Sequence, residues 1–387
     1  MSTRAATDRA LTDRVRQRLV VATSAPTPAA VAAAVRAEGG VLGDVAVHRL
    51  VGELRAELIG FGVLQPLVDD PRVTDVLVNG PAHVWVDRGI GLERVDVEFV
   101  DQADVRRLAT RLASAAGRRL DDACPAVDAR ITGGIRLHAV LPPVSVHGPL
   151  ISLRIPRARA FSMAELEANG ALGAGASAWV SALIDSRAAF LLTGGTGTGK
   201  TTMLSAMLGL VSPEHRLVLV EDSAELRPDH PHVVQLEART ANVEGVGEVS
   251  MRELVRHALR MRPDRLVVGE ARGEEVVDLL GAMNTGHEGG CGTLHANSPA
   301  DVPSRIAALA ATAGMTREAA MLQMGSALDA VLHVVRGADG RRRLQHIAAI
   351  EQQGSDLSVV LALSWDAAGS CRAGPGLATL TKRLAQR

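Results

Sequence analysis

The segment Gly194 to Thr201, GGTGTGKT, fulfils G-x-x-x-x-G-K-[ST], the pattern in which a glycine-rich turn wraps its backbone N–H groups round phosphate oxygens. It follows the apolar run AFLL and precedes TTMLSAMLGL, so a strand leads in and a helix leads out, with the positive end of the helix dipole at the same spot. Position 200 holds one of only two lysines, the other being Lys382; the remaining 40 of the 42 basic side chains are arginines. A compact ammonium on a flexible stem fits inside a phosphate loop as a point charge, whereas a planar guanidinium is larger and demands a fork geometry. Lysine at 200 is therefore a chemical choice. Gly194, Gly195, Thr196, Gly197, Thr198, Gly199, Lys200, Thr201 and Thr202 are expected to bind ATP, with the Thr201 hydroxyl on Mg²⁺ and Lys200 on the β- and γ-phosphates.

Phosphoryl transfer also needs carboxylates, one near Mg²⁺ and one to orient or deprotonate the attacking water. Two apolar runs end in them. RLVLVEDSAEL delivers Glu221 and Asp222, with Glu225 one turn on, and RLVVGEARG delivers Glu270. A charged residue ending a strand is common at any surface, but two such endings in order after a phosphate loop point to chemistry. NTGHEGGCGTLHANSP then sets His287 and His295 in a glycine-rich segment suited to a phosphate-proximal loop. No third ligand at a suitable spacing accompanies them, which argues against a metal site built on the two histidines.

These groups need a scaffold. Apolar strands alternating with helix-length segments from AFLLTGG to RLVVGE predict a parallel sheet covered on both faces, and the chain after Ala327 reads as strands or hairpins appended to it. Upstream, VTDVLVNGP, AHVWVDRG, LERVDVEFV, GIRLHAVLPP and LISLRIP read as short strands, with one helix over DQADVRRLATRLASAAGRRL. The predicted class is α/β: a helical extension over 1–62, an α+β domain over 63–160, a Gly- and Ala-rich linker over 161–178, and an ATPase domain with C-terminal strands over 179–387.

Composition removes several alternatives. A chain of 387 residues, 47% hydrophobic but only 2% aromatic, must fill its cores with Val, Leu, Ile and Ala, which favours α/β layers over an aromatic-rich sandwich. Net charge is −1, so the overall balance gives no pull toward nucleic acid or an anionic membrane surface. Cys124, Cys291 and Cys371 are widely spaced and odd in number, which speaks against a disulfide framework and for a reducing compartment. No run approaches the roughly 18 apolar residues of a membrane span, and the N-terminal stretch has no apolar signal core. The expected location is cytoplasmic.

The ordered set GGTGTGKTT, VLVEDSAEL, ALRMRPDRLVVGEARG, NTGHEGG and GTLHANSP resembles the secretion-ATPase superfamily of type II and type IV secretion and type IV pili. The likeness is strongest to the CpaF/TadA branch, associated with Flp pilus assembly and conjugal transfer, and VTDVLVNGP, GRRLDDACPAVDARI and LHAVLPP extend it over Leu64 to Val335. The resemblance implies a RecA-like P-loop domain preceded by a smaller N-terminal domain. It makes Gly194 to Thr202 the Walker A loop, Glu221 to Glu225 an Asp box, Leu266 to Glu270 a Walker B strand ending in Gly-Glu, and His287 to His295 a His box. Glu270 then takes the catalytic carboxylate role and contacts Mg²⁺ through water, with Glu221 or Glu225 as rivals for activating water. Arg136, Arg154 and Arg130 resemble N-terminal-domain arginines that reach the nucleotide. Arg260, Arg262 and Arg272 flank the Walker B run and read as structural. Cys291 departs from the small hydroxyl residue common in the branch and reads as a small buried side chain.

The resemblance further implies a homohexamer working on inner-membrane platform proteins at the inner face of the cytoplasmic membrane, with membrane association only through those partners and no nucleic acid bound. Three other readings are weighed against this motor. A DNA-translocating RecA-like motor would carry a basic groove or stacking platform, for which three Trp and four Phe give little material. A nucleotide-gated subunit with little turnover would have lost a catalytic carboxylate, yet Glu221, Asp222 and Glu270 are all present. A small-molecule kinase would show a lid and a second-substrate pocket, and neither is recognisable.

Overall fold

DVLVN, VWVD, RLHAV and LISLR each alternate buried and more exposed side chains, and each forms a strand of one antiparallel sheet. The computed structural model describes residues 59–89, 91–156, 160–239, 246–353 and 356–387, with isolated positions between 14 and 56. The helical extension expected over 1–62 lies almost entirely outside the described residues. The chain divides into two compact units, Met1–Arg157 and Ala158–Arg387.

In the first unit, β1 (Asp75–Asn79), β2 (Val84–Asp87), β3 (Leu92–Val95), β4 (Ala126–Arg130), β5 (Arg136–Val140) and β6 (Leu150–Arg154) form a sheet in the order β3-β2-β1-β6-β5-β4. Helix α1 (Gln102–Ala115) starts where the Asp101 side chain accepts the Asp104 N–H. Val105, Leu108, Ala109 and Leu112 recur at helical spacing and pack on Val76, Val86, Leu137 and Leu153 of the sheet.

The second unit contains α2 (Met163–Ala168), α3 (Ala176–Asp185), β7 (Phe190–Thr193), α4 (Lys200–Leu208), β8 (Leu217–Glu221), β9 (Val233–Glu237), α5 (Met251–Ala258), β10 (Arg265–Ala271), α6 (Glu275–Asn284) and β11 (Cys291–Leu294). It continues through α7 (Val302–Thr312), α8 (Arg317–Ala327), β12 (Ala330–Arg336), β13 (Arg342–Gln353), β14 (Asp356–Trp365), β15 (Cys371–Ala373) and α9 (Leu377–Ala385). Its sheet runs β15-β14-β13-β12-β7-β11-β10-β8-β9, parallel from β12 to β9 and antiparallel from β12 to β15. Because successive side chains point to opposite faces, Phe190, Leu192, Leu217 and Leu219 pack with α3 and α4, while Leu191, Val218 and Val220 pack with α5 to α8. The continuous apolar runs of the sequence are thus strands buried on both faces.

Residues 161–178, expected as a linker, belong to this second core. Ser162 and Glu165 form a reciprocal capping box that starts α2, and Leu166, Ala171, Leu172 and Ala176 are buried against the sheet. Gly and Ala here allow close packing, and the S-x-x-E spacing was the signal that outweighs their loop-like composition. Among the described residues no helix is long and apolar enough to cross a membrane.

A buried carboxylate ties the phosphate-loop strand to the C-terminal helix. Asp329, 3% exposed, accepts the Ala189 N–H at 2.8 Å and pairs with Arg383 at 3.5 Å and Arg387 at 3.1 Å. Asp329→Ala is expected to cost about 3 kcal/mol, because it strands a buried N–H and two partly buried guanidinium groups. A denaturant midpoint unchanged from wild type would refute this.

Candidate functional site

The buried strand FLLT delivers the chain into a loop with left-handed backbone at Gly197 (φ +72°) and Gly199 (φ +92°), conformations that L side chains rarely adopt. Gly194 is required for another reason: a Cβ there would lie 2.3 Å from the Val334 carbonyl oxygen of β12. Thr198 turns inward and donates to the Gly195 carbonyl at 2.9 Å. Thr196 is exposed, and Thr201 and Thr202 are half-buried at the first turn of α4. Lys200 is only 7% exposed; its Nζ donates to the carbonyls of Gly194 (3.1 Å) and Gly195 (3.0 Å) and stands 3.5 Å from His295 Nε2. Burial pushes the ammonium pKa down, and the Glu270 carboxylate opposes that shift.

Glu270 reaches this lysine because β10 is bulged. Val268 pairs with Gly292 and Ala271 with Leu294, so the bulged strand spends three steps on two of its partner's and re-aims the side chains between them. The Glu270 carboxylate lies between His295 Nε2 and the Arg272 guanidinium. Arg272 also stands 3.6 Å from Asp222. Burial and the nearby Lys200 charge lower the His295 pKa, and the Glu270 carboxylate opposes that shift. Lys200, His295, Glu270, Arg272 and Asp222 thus converge at the C-terminal ends of β7, β11, β10 and β8, where ligands of open parallel sheets bind.

Glu221 is placed differently. It is 3% exposed, its Oε1 accepts the N–H groups of Glu225 and Leu226 at 2.9 Å each, and its Oε2 has no hydrogen-bond partner. Its carboxyl packs beside Gly269, where a Cβ would come within 2.6 Å of Glu221 Cγ. Burial pushes its pKa up to about 7 from an ordinary 4.5, despite the two N–H donors. The folded state therefore holds this proton more tightly than the unfolded chain. The contribution to stability is full below pH 4.5, falls as pH rises through the window to about 7, and leaves a cost of roughly 3 kcal/mol above it. Glu221→Gln, which keeps an acceptor and needs no charge, is expected to raise the melting temperature at pH 8 and to leave it unchanged at pH 4. An equal shift at both values would contradict the assignment.

Not every expected residue joins the cluster. His287 precedes β11 at the N-terminal end of the parallel strands, so β11 itself, roughly 13 Å at 3.3 Å per residue, separates it from His295. Glycine-rich composition had joined the two histidines, but a strand runs between them. Arg130, Arg136 and Arg154 lie in the first unit, where strand pairing sets Arg130 opposite Arg136 and Arg136 opposite Arg154. They form one row across three neighbouring strands, ending at Asp75, which pairs with Arg154 at 3.4 Å. Two residues were missed. Arg272 read as structural although it sits two positions after Glu270, and Arg342, whose Nε donates to the Gly197 carbonyl at 2.8 Å, carried no motif.

A mainly parallel sheet with a glycine-rich phosphate loop after a central strand, preceded by a smaller α+β unit, is the RecA-like fold of the secretion ATPases. Residues 57–371 match the type II/IV secretion system protein family, and the chain belongs to it. It is 56% identical over 318 residues to a Mycobacterium tuberculosis protein whose name assigns it provisionally to conjugal transfer, a match covering 81% of this chain and 90% of the relative. The type IV secretion system protein PtlH of Bordetella pertussis is 33% identical over 263 residues, covering 61% of this chain and 76% of its own. Among solved structures, the ATPase DotB of Legionella pneumophila aligns with a TM-score of 0.53 at 19% identity, over 73% of this chain and 78% of its own. The pilus retraction motor PilT with bound ADP aligns with a TM-score of 0.51 at 20% identity, over 83% and 86%. These two likenesses concern the fold.

Proposed function

We propose that this chain hydrolyses ATP and that Glu270 is the carboxylate that activates water. The observation that carries the reading is the convergence of the buried Lys200 ammonium, the Glu270 carboxylate and His295 at one end of the parallel strands. Gly194 to Thr202 bind the phosphates through backbone N–H groups and Lys200. The His295 ring lies against one oxygen of the Glu270 carboxylate, and the Arg272 guanidinium donates to the other. Glu221, spent on two backbone N–H groups, shapes the turn that presents Asp222 and Glu225.

The residues present fit Mg²⁺ only together with a nucleotide. Among the described residues no group of three or more His, Cys, Asp or Glu is arranged to hold a metal, so phosphate oxygens must complete any shell begun by the Thr201 hydroxyl and, through water, Glu270. Bound there, Mg²⁺ would neutralise charge on the β- and γ-phosphate oxygens. Chelation with EDTA is therefore expected to abolish phosphate release from ATP, and added Mg²⁺ to restore it. Phosphate release by the purified chain that is indifferent to EDTA would overturn the reading.

The working assembly is a homohexamer at the cytoplasmic face of the inner membrane, passing force to platform proteins of a type II/IV secretion, conjugation or Flp-type pilus apparatus. The family and the relatives named for conjugal transfer and type IV secretion support this setting.

A further inference from the structure

We infer that Arg342 is a positioning residue that couples the β12–β13 hairpin to the conformation of the phosphate loop. This rests on the ATPase reading above, and it concerns a part of the chain in which no motif marks a role.

Three contacts join β12 and its hairpin to the loop in chain order. Thr193, the last residue before the glycines, donates its hydroxyl to the Leu332 carbonyl at 3.0 Å and lies 2.9 Å from His333 Nδ1. Gly194 passes so close to β12 that a Cβ would meet the Val334 oxygen at 2.3 Å. Arg342, first residue of β13, reaches across and donates from Nε to the Gly197 carbonyl at 2.8 Å, with its stem against Gly199, where a Cβ would be 3.2 Å from Arg342 Cδ. Gly197 is in left-handed conformation at the exposed crest of the loop, so this hydrogen bond fixes the orientation of the peptide most free to turn. Its carbonyl has no other hydrogen-bond donor among the described residues.

The hairpin is stiff enough to transmit what it touches. The Arg336 guanidinium donates to the Gly340 carbonyl at 3.2 Å, the Gly337 N–H to the Arg341 carbonyl at 2.8 Å, and Arg343 pairs with Asp339 at 2.5 Å. β13 then carries the antiparallel layer β14 and β15 on its far edge. When phosphate oxygens draw the loop's N–H groups inward, the Gly197 peptide cannot turn without pulling on Arg342, and the hairpin moves or stiffens with it. Arg342 thereby makes the C-terminal layer responsive to the nucleotide from within the same subunit.

Hydrogen–deuterium exchange of the full chain tests this in two arms, with Arg342→Ala, Arg342→Gln and the neighbouring Arg341→Ala as control. Without nucleotide, both Arg342 variants are expected to exchange amides 194–199 about tenfold faster than wild type, the factor that loss of one hydrogen bond to a charged group allows, while β8 and β10 stay protected. Arg341→Ala leaves the loop unchanged. With Mg²⁺ and ADP, wild type gains protection both at 194–199 and at 337–343, whereas the Arg342 variants gain it only at 194–199. Unchanged loop exchange in both Arg342 variants, or an equal response of 337–343 to ADP in variants and wild type, overturns the inference. If ADP alters nothing in wild type, the ATPase reading fails, and the nucleotide-free arm still decides whether Arg342 braces the loop.

Discussion

Glu270→Gln is expected to lower ATP turnover by at least about 100-fold, the scale on which a positioned general base acts, while nucleotide binding is retained or strengthened. Gln is nearly isosteric and keeps an oxygen to accept from Arg272, so the geometry around position 270 persists. What disappears is the negative charge that partly neutralises Lys200, which leaves the ammonium freer to hold phosphate. Single-turnover phosphate release beside equilibrium binding of a fluorescent ATP analogue separates the two effects. Glu221→Gln provides the contrast: its carboxyl is buried and already engaged by Glu225 and Leu226, so turnover is expected to stay within a few-fold of wild type. If Glu221→Gln abolishes turnover and Glu270→Gln does not, the roles are reversed and the proposal for Glu270 is wrong.

Lys200→Ala is expected to raise the dissociation constant for ATP by about 100-fold or more, since a desolvated ammonium makes charge-assisted hydrogen bonds worth about 1.5–3 kcal/mol each. Folding should survive. The alanine releases the buried Gly194 carbonyl and the more exposed Gly195 carbonyl, a cost offset by removing a charge whose burial is itself unfavourable. Isothermal titration with ATP and a thermal melt of the same sample check both halves. An unchanged affinity would remove Lys200 from the phosphate site, and with it the reason for a lysine in a chain otherwise written in arginine.

Much of this was legible in residue order. FLLTGGTGTGKTTM displayed strand, glycine turn and helix because each part answers to a local rule, and the carboxylates at the ends of LVLVE and RLVVGEA follow from the same parallel-sheet logic. What depended on register was hidden. The bulge at Gly269 and Glu270 arises from pairing with β11, and the row of Arg130, Arg136 and Arg154 exists only once three strands are aligned. β4 went unread because AVDAR offers Ala where a strand signal wants Val or Ile. Arg342 was invisible for the same reason as the arginine row: its meaning comes from a contact 145 positions away in sequence. His287 shows the converse error, since nearness in sequence to His295 concealed a strand running between them.

The proposed ring-motor action is read by measuring phosphate release per subunit across a protein concentration series, with the mass of each sample determined by light scattering. The account predicts that turnover per subunit rises where the mass steps to six copies, and that Glu270→Gln assembles identically but releases no phosphate. A six-copy ring that binds ATP and shows no wild-type turnover would contradict it and would make the chain a nucleotide-gated scaffold instead.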